Sequence, residues 1–141
     1  MFKRVLVGID HVDASRTSLW ETVGRLSAES GAQLILVHVT EVHPSRFGLL
    51  HEGHAEVEST LAEARRAVQA CGGTVENAVE VRIGLESPAQ VLVDTARTEH
   101  CDLIVLGTHA HGAWSGALLG SVSQRVAGHA SCPVLLVPCG D

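Results

Sequence analysis

The chain has 141 residues, 45% of them apolar, and a formal net charge of −6, which suits one continuous hydrophobic core over residues 1–141 and leaves little room for a second domain. Lys3 is the only lysine and the nine arginines are scattered, so no basic patch marks a site for nucleic acid or an anionic membrane. No apolar run approaches the ~20 residues that span a bilayer, and Met1-Phe-Lys-Arg4 leads into a strand rather than a secretory signal, which predicts a cytoplasmic protein.

Taken in chain order, Val5-Leu-Val-Gly-Ile9 is a short apolar run ending at Asp10, the pattern of a buried strand. Leu19, Val23 and Leu26 recur at helical spacing behind Ser15 as a candidate N-cap, and Gly31 stands where a left-handed C-terminal residue is expected. Leu34-Ile-Leu-Val37 is a second buried strand. From Thr40 to about Gly53 the periodicity lapses, and Pro44, Gly48, Gly53 and three histidines predict a long exposed loop. Val57, Leu61, Ala64 and Val68 then restore helical spacing up to Gly72-Gly73.

Val79, Val81 and Ile83 alternate with Glu80 and Arg82, as in a strand with one wet face near a sheet edge. Ser87-Pro-Ala-Gln90 combines an N-cap serine, proline at the first helical position and glutamine at the capping-box position, ahead of the buried stripe Leu92, Val93 and Ala96. A fourth strand, Leu103-Ile-Val-Leu106, is followed by a glycine-rich loop to Gly120, a helix from Ser121 to about His129, and a last strand, Val134-Leu-Leu-Val137. Cys71, Cys101, Cys132 and Cys139 contain no C-x-x-C, which predicts neither a disulfide framework nor a structural zinc site.

Strands alternating with helices, each strand too apolar to face water, predict a single α/β doubly wound domain: a five-stranded, mainly parallel sheet with helices on both faces. Ligands of such folds bind outside the carboxyl ends of the strands, where successive connections leave in opposite directions. If the first and fourth strands are neighbours, the loops at Asp10 and Gly107 flank that crevice. Asp10 is then a candidate acceptor for a ligand, and equally a cap for the next helix with Asp13 and Ser15.

The stretch from Gly107 to Ser121 joins a strand to a helix start, where glycines admit a ligand to backbone N–H groups and the free amides of the helix make a phosphate seat. It is no Walker A loop, because no Lys-Ser/Thr follows Gly112, and Ser115 is out of register for a G-x-S-x-G elbow. His109 and His111 could donate to phosphate, hold a metal between them, or simply face water. His43, His51 and His54 lack the carboxylate or cysteine partners that would close a metal shell, so no metal site is assigned. Trp20 and Trp114 read as packing residues, and Arg65 and Arg66 as a solvated face.

The runs Val5 to Asp10, Gly31-Ala-Gln-Leu34 with His38-Val39, Gly84 to Pro88, Asp102-Leu-Ile-Val-Leu-Gly-Thr-His109, Leu118-Leu-Gly-Ser-Val-Ser-Gln-Arg-Val126 and Cys132-Pro-Val-Leu-Leu-Val-Pro138 together resemble the universal stress protein family over nearly the whole chain. Nucleotide-binding members carry G-x-x-G, nine residues, then G-Ser/Thr. Here that pattern falls on Gly107, Ala110, Gly120 and Ser121, matching at three of four places. The resemblance implies that ATP or AMP, with or without Mg²⁺, lies with its adenine and ribose among Gly8, Asp10, Val39, Leu106 and Gly107. His109 and Ala110 would line the loop, and the phosphates would rest at Gly120, Ser121, Val122 and Ser123.

Two departures stand beside that match. Alanine replaces glycine at 110, and His11-Val12 replaces the Gly-Ser that many members carry after the first-strand aspartate.

A last strand of four apolar residues at a sheet edge would also be left uncovered. Both this argument and the resemblance predict a homodimer joined through Val134, Leu135, Leu136 and Val137. The leading expectation is an adenine-nucleotide-binding homodimeric stress sensor or regulator with an unidentified protein partner. The alternatives are a dimeric interaction protein of the same fold with an empty pocket and, less favoured, a slow ATP hydrolase. No catalytic residue is assigned, because a nucleophile, a phosphate-clamping lysine and a metal shell are all missing from the sequence pattern.

Overall fold

The computed structural model describes residues 2–9, 17–45, 48–50, 54–108 and 121–138. Its elements in chain order are β1 (Arg4–Ile9), α1 (Thr17–Ser30), β2 (Gln33–Glu41), β3 (His43–Ser45), β4 (Gly48–Leu50), α2 (His54–Ala70), β5 (Thr74–Ile83), α3 (Pro88–Thr98), β6 (Leu103–Thr108), α4 (Ser121–His129) and β7 (Val134–Pro138). Five of the strands form one sheet in the order β5-β2-β1-β6-β7, with every neighbouring pair parallel. This is the doubly wound arrangement expected from the alternation of elements.

The alternation of side chains along the strands sorts the core into two layers. Val5, Val7 and Ile9 of β1 join Leu34 and Leu36 of β2 beneath Leu19, Trp20 and Val23 of α1 and Val57, Leu61, Ala64 and Val68 of α2. Leu6, Ile35, Val37, Ile104 and Leu106 face the other way and are covered by Ala89, Leu92, Val93 and Ala96 of α3 and Val126 of α4. Burying both faces explains why these strands read as unbroken apolar runs, with each fully buried Leu or Val worth about 1.5–3 kcal/mol. Trp20, only 3% exposed, is a packing residue.

Two sequence expectations are corrected. The predicted loop from Thr40 to Gly53 is in part structured: β2 runs on to Glu41, and β3 and β4 form an antiparallel hairpin pairing His43 with Leu50 and Ser45 with Gly48. Pro44 and Gly48 are compatible with a short two-stranded ribbon outside the main sheet, where Pro withholds no ladder bond that a central strand needs. Gln90 does not complete a reciprocal capping box either. The Ser87 hydroxyl accepts from the Gln90 amide at 3.4 Å, but the Gln90 side chain donates to Asp94 one turn on, at 2.9 Å.

The edge positions agree with the sequence. Thr74–Ile83 lies at one border, and its pairing with β2 skips a residue between Leu34 and Ile35, because Val75 pairs with Leu34 and Asn77 with Ile35. That irregularity at Glu76 is of the kind that discourages edge-to-edge pairing. At the opposite border, β7 pairs with β6 and is the outer strand among the described residues. Gly31, with φ +75°, takes the predicted left-handed place after α1.

At the amino ends of the strands the Asp102 carboxylate accepts from the backbone N–H of Lys3 at 2.9 Å and of Arg4 at 3.2 Å, tying the start of β6 to that of β1. Cys101 and Cys132 pack nearby against the α3/α4 layer as free thiols. Burial pushes the Cys101 thiol up to about 11, against the lowering effect of Arg4, with Cys132, Glu99 and Asp102 adding to the rise. Cys132 is also raised, by burial and then Asp102.

Both thiols therefore stay protonated at neutral pH, and Cys101 withholds its thiolate until the solution is strongly alkaline. Iodoacetamide at pH 7.5 is expected to alkylate Cys101 roughly a hundredfold more slowly in the folded protein than in urea, read by peptide mass spectrometry. Because the folded thiol releases its proton at higher pH than the unfolded one, its contribution to stability is present below about pH 9 and lost as pH rises toward 11.

Candidate functional site: the crevice at the carboxyl ends of β1 and β6

The chain leaves β1 toward β2 on one side and, after β5, returns to β6 on the other. Since β1 and β6 are neighbours, the reversal of direction falls between them, and their carboxyl ends open the crevice in which doubly wound folds hold ligands. Gly8 sits directly beside Leu106 in the β1–β6 ladder and beside Val37 in the β1–β2 ladder. Val39 lies two residues further along β2 on the same face, and Val39, Leu106 and Val122 all belong to the α3/α4 layer. The structure thus brings four of the sequence-predicted positions together on one side of the sheet.

Gly8 is fixed there by crowding. A Cβ at this position would meet Leu106 Cδ2 at 2.5 Å and Leu92 Cδ1 at 3.4 Å. Only a hydrogen at Gly8 leaves Leu106 in its place over the crevice, which gives the glycine a packing reason independent of any ligand.

Helix α4 packs on the same layer of the core through Val122 and Val126. It begins on Ser121, which is exposed, followed by half-buried Val122 and buried Ser123. The first N–H groups of any helix lack intrahelical acceptors and carry the positive end of its dipole, so this turn is suited to an anion. Gly107 and Thr108, both half-buried, end β6 on the approach to it. The predicted contacts Asp10, His109, Ala110 and Gly120, with His11, Val12, His111 and Trp114, lie outside the described residues. Among the described residues no group of three His, Cys, Asp or Glu is placed to hold a metal ion, and no helix is long and apolar enough to cross a membrane.

A buried polar chain beside the crevice was not anticipated from sequence. His38 and Thr40, each 2% exposed, stand on the α1/α2 face of β2. Thr40 Oγ1 donates to Glu80 Oε2 at 2.7 Å, and His38 Nδ1 lies 3.1 Å from the same hydroxyl. The single hydroxyl proton is committed to the carboxylate, so His38 donates through Nδ1–H, which assigns its tautomer. Arg82 Nε donates to Glu80 Oε1 at 3.4 Å. The chain locks the carboxyl end of β2 to the edge strand, and thereby the backbone that carries Val39. A histidine and a threonine two residues apart inside an apolar run, opposite a carboxylate on an alternating strand, were the available signal.

Of the four residues predicted to form an interface, Val134 and Leu136 are half-buried against the α3/α4 layer and Val137 is buried. Leu135 alone is exposed, at 37%. What β7 exposes of these four is therefore one leucine rather than four apolar side chains.

Comparison with known proteins gives a consistent result. The profile described as "Universal stress protein family" matches residues 1–138. A universal stress protein of Thermus aquaticus is 33% identical over 140 residues, covering 97% of this chain and 99% of the relative. One from Synechocystis is 34% identical over 142 residues, covering 98% and 87%. Among solved structures, a universal stress protein in complex with cAMP superposes with a TM-score of 0.74 at 27% identity, covering 98% of each chain. The Archaeoglobus fulgidus universal stress protein in complex with dAMP, 21% identical with a TM-score of 0.72 over 96% of this chain and 97% of its own, shares the fold.

Proposed function

The chain belongs to the universal stress protein family, and on that premise we propose that it is a cytoplasmic adenine-nucleotide-binding regulator, a single domain that works as a homodimer in adaptation to stress. The observation that carries this reading is the convergence of Gly8, Val39 and Leu106 on one face at the β1–β6 crevice, on the layer that Val122 of the first turn of α4 also packs against. An apolar slot next to an anion-binding helix turn suits a nucleotide, whose flat base is apolar and whose phosphates are not. The solved relative that holds cAMP supports the ligand class.

In this reading adenine and ribose contact Gly8, Asp10, Val39, Leu106 and Gly107. His109 and Ala110 border the loop, and the phosphates of ATP, preferred over AMP, rest on Gly120, Ser121, Val122 and Ser123. Magnesium enters only as the counter-ion of the phosphates. No group is assigned to activate water, so hydrolysis is at most slow. Calorimetric titration of ATP into nucleotide-stripped protein is expected to give a Kd on the order of micromolar, about −8 kcal/mol. Absence of heat at millimolar ATP would overturn the reading and favour a dimeric interaction protein whose pocket is closed by Ala110 and the His11-Val12 pair.

The homodimer is proposed to form by pairing of β7 with its copy, which covers the open edge. Sedimentation at micromolar concentration is expected to give twice the chain mass. Leu135→Asp, which sets like charges near one another across the two-fold axis, is expected to shift the protein to monomer. A wild-type monomer would rule this interface out.

A further inference from the structure

A cavity of about 140 Å³ lies between α3 and α4, lined by Ser87, Ala89, Gln90, Arg125 and His129. None of these residues has a place in the nucleotide reading. The volume is room for several water molecules, and hence for a tetrahedral anion.

Its lining is one-sided in chemistry. Arg125 Nη1 donates to Ser87 Oγ at 3.2 Å, and that same oxygen accepts from the Gln90 amide at 3.4 Å. With both lone pairs of Ser87 engaged, its hydroxyl proton is the part left to offer. Arg125 uses one of five N–H donors in that contact, and His129 adds a ring N–H from the last turn of the same helix. Among the described residues the lining contains no carboxylate: the neighbouring Asp94 accepts from Gln90 at 2.9 Å and from Arg97 at 3.5 Å. In a chain of net charge −6, a recess whose described lining carries an arginine and a histidine and no acid suits an anion from outside.

We propose that this recess between α3 and α4 is a second ligand site that binds a phosphate group, held by Arg125, His129 and the Ser87 hydroxyl. The donors come from two helices rather than from one planar fork, which fits a tetrahedral phosphate better than a flat carboxylate. Arg125 is one helical turn beyond Ser121, so a phosphate here sits beside the nucleotide crevice while using different side chains. Filling it would bridge α3 to α4, the two helices that cover the Leu106 side of the sheet.

The test is an amide-resolved NMR titration of the full-length protein with sodium phosphate and, separately, with ribose 5-phosphate, in buffer free of other polyvalent anions. Saturable shifts are expected at Ala89, Gln90 and His129. They should weaken at least tenfold in Arg125→Gln and by a smaller factor in His129→Asn, the latter guarding against a folding defect in the former. Gly120→Val, which obstructs the nucleotide phosphate seat, should leave them unchanged. Equal affinity for the two probes identifies the free ion as ligand, and tighter binding of ribose 5-phosphate identifies an ester. The proposal is overturned if no shift saturates, if Arg125→Gln and His129→Asn bind as wild type does, or if the shifts map to Ser121–Ser123 and vanish in Gly120→Val.

Discussion

Gly120→Val is expected to weaken ATP binding at least a hundredfold. Residue 120 immediately precedes Ser121, the first residue of α4, so in the proposed function phosphate must pass it to reach the amides of Ser121, Val122 and Ser123. Two or more charge-assisted hydrogen bonds from such amides are each worth about 1.5–3 kcal/mol. Losing a pair of them gives a factor on the order of a hundred or more. A branched side chain at that point is expected to obstruct the approach of phosphate to those amides. Calorimetry and urea unfolding of the same preparation separate lost binding from lost stability: lost binding with intact stability places the ligand at α4, and unchanged binding removes it from there.

The largest effect on stability is expected at Gly24, where valine should cost about 3 kcal/mol. Gly24 is buried in α1 facing the end of α2. A Cβ there would overlap the Cys71 side chain and come within 3.0 Å of the Cys71 carbonyl oxygen and 3.1 Å of that of Val68. Two of these obstacles are backbone, which cannot swing aside as a side-chain tip can.

Helix propensity works in the opposite sense, since a glycine inside a helix costs about 1 kcal/mol relative to alanine. Overpacking against backbone, at about 1–3 kcal/mol for even small insertions, outweighs it. Urea denaturation should show a midpoint lowered by about 1.5 M for an m-value near 2 kcal/mol/M. A midpoint unchanged or raised would mean that α1 and α2 have slack between them.

How much of this was legible beforehand varies with the range of the interaction responsible. The sequence determined the number and order of the main-sheet strands, the caps at Ser87 and Gly31, the extent of α4 and the family. Each is written in local signals: unbroken apolar runs, an N-cap serine before proline, a glycine after the last buried turn, a run of matching residues. Val79, Val81 and Ile83, alternating with Glu80 and Arg82, even declared their strand an edge, because a wet face leaves a period of two.

Tertiary structure alone decided what depends on partners distant in the chain. The neighbouring of β1 and β6, which turns two separate loops into one crevice, follows from crossover direction and not from either strand's composition. The His38–Thr40–Glu80 chain required β5 to lie beside β2, and the hairpin at 43–50 required pairing that its broken periodicity concealed. The fate of β7 is the clearest instance. Four apolar letters in a row look alike in sequence, yet packing buries Val137, half-buries Val134 and Leu136 and exposes Leu135, because side chains of one strand alternate between two layers and only the fold determines how deep each layer is.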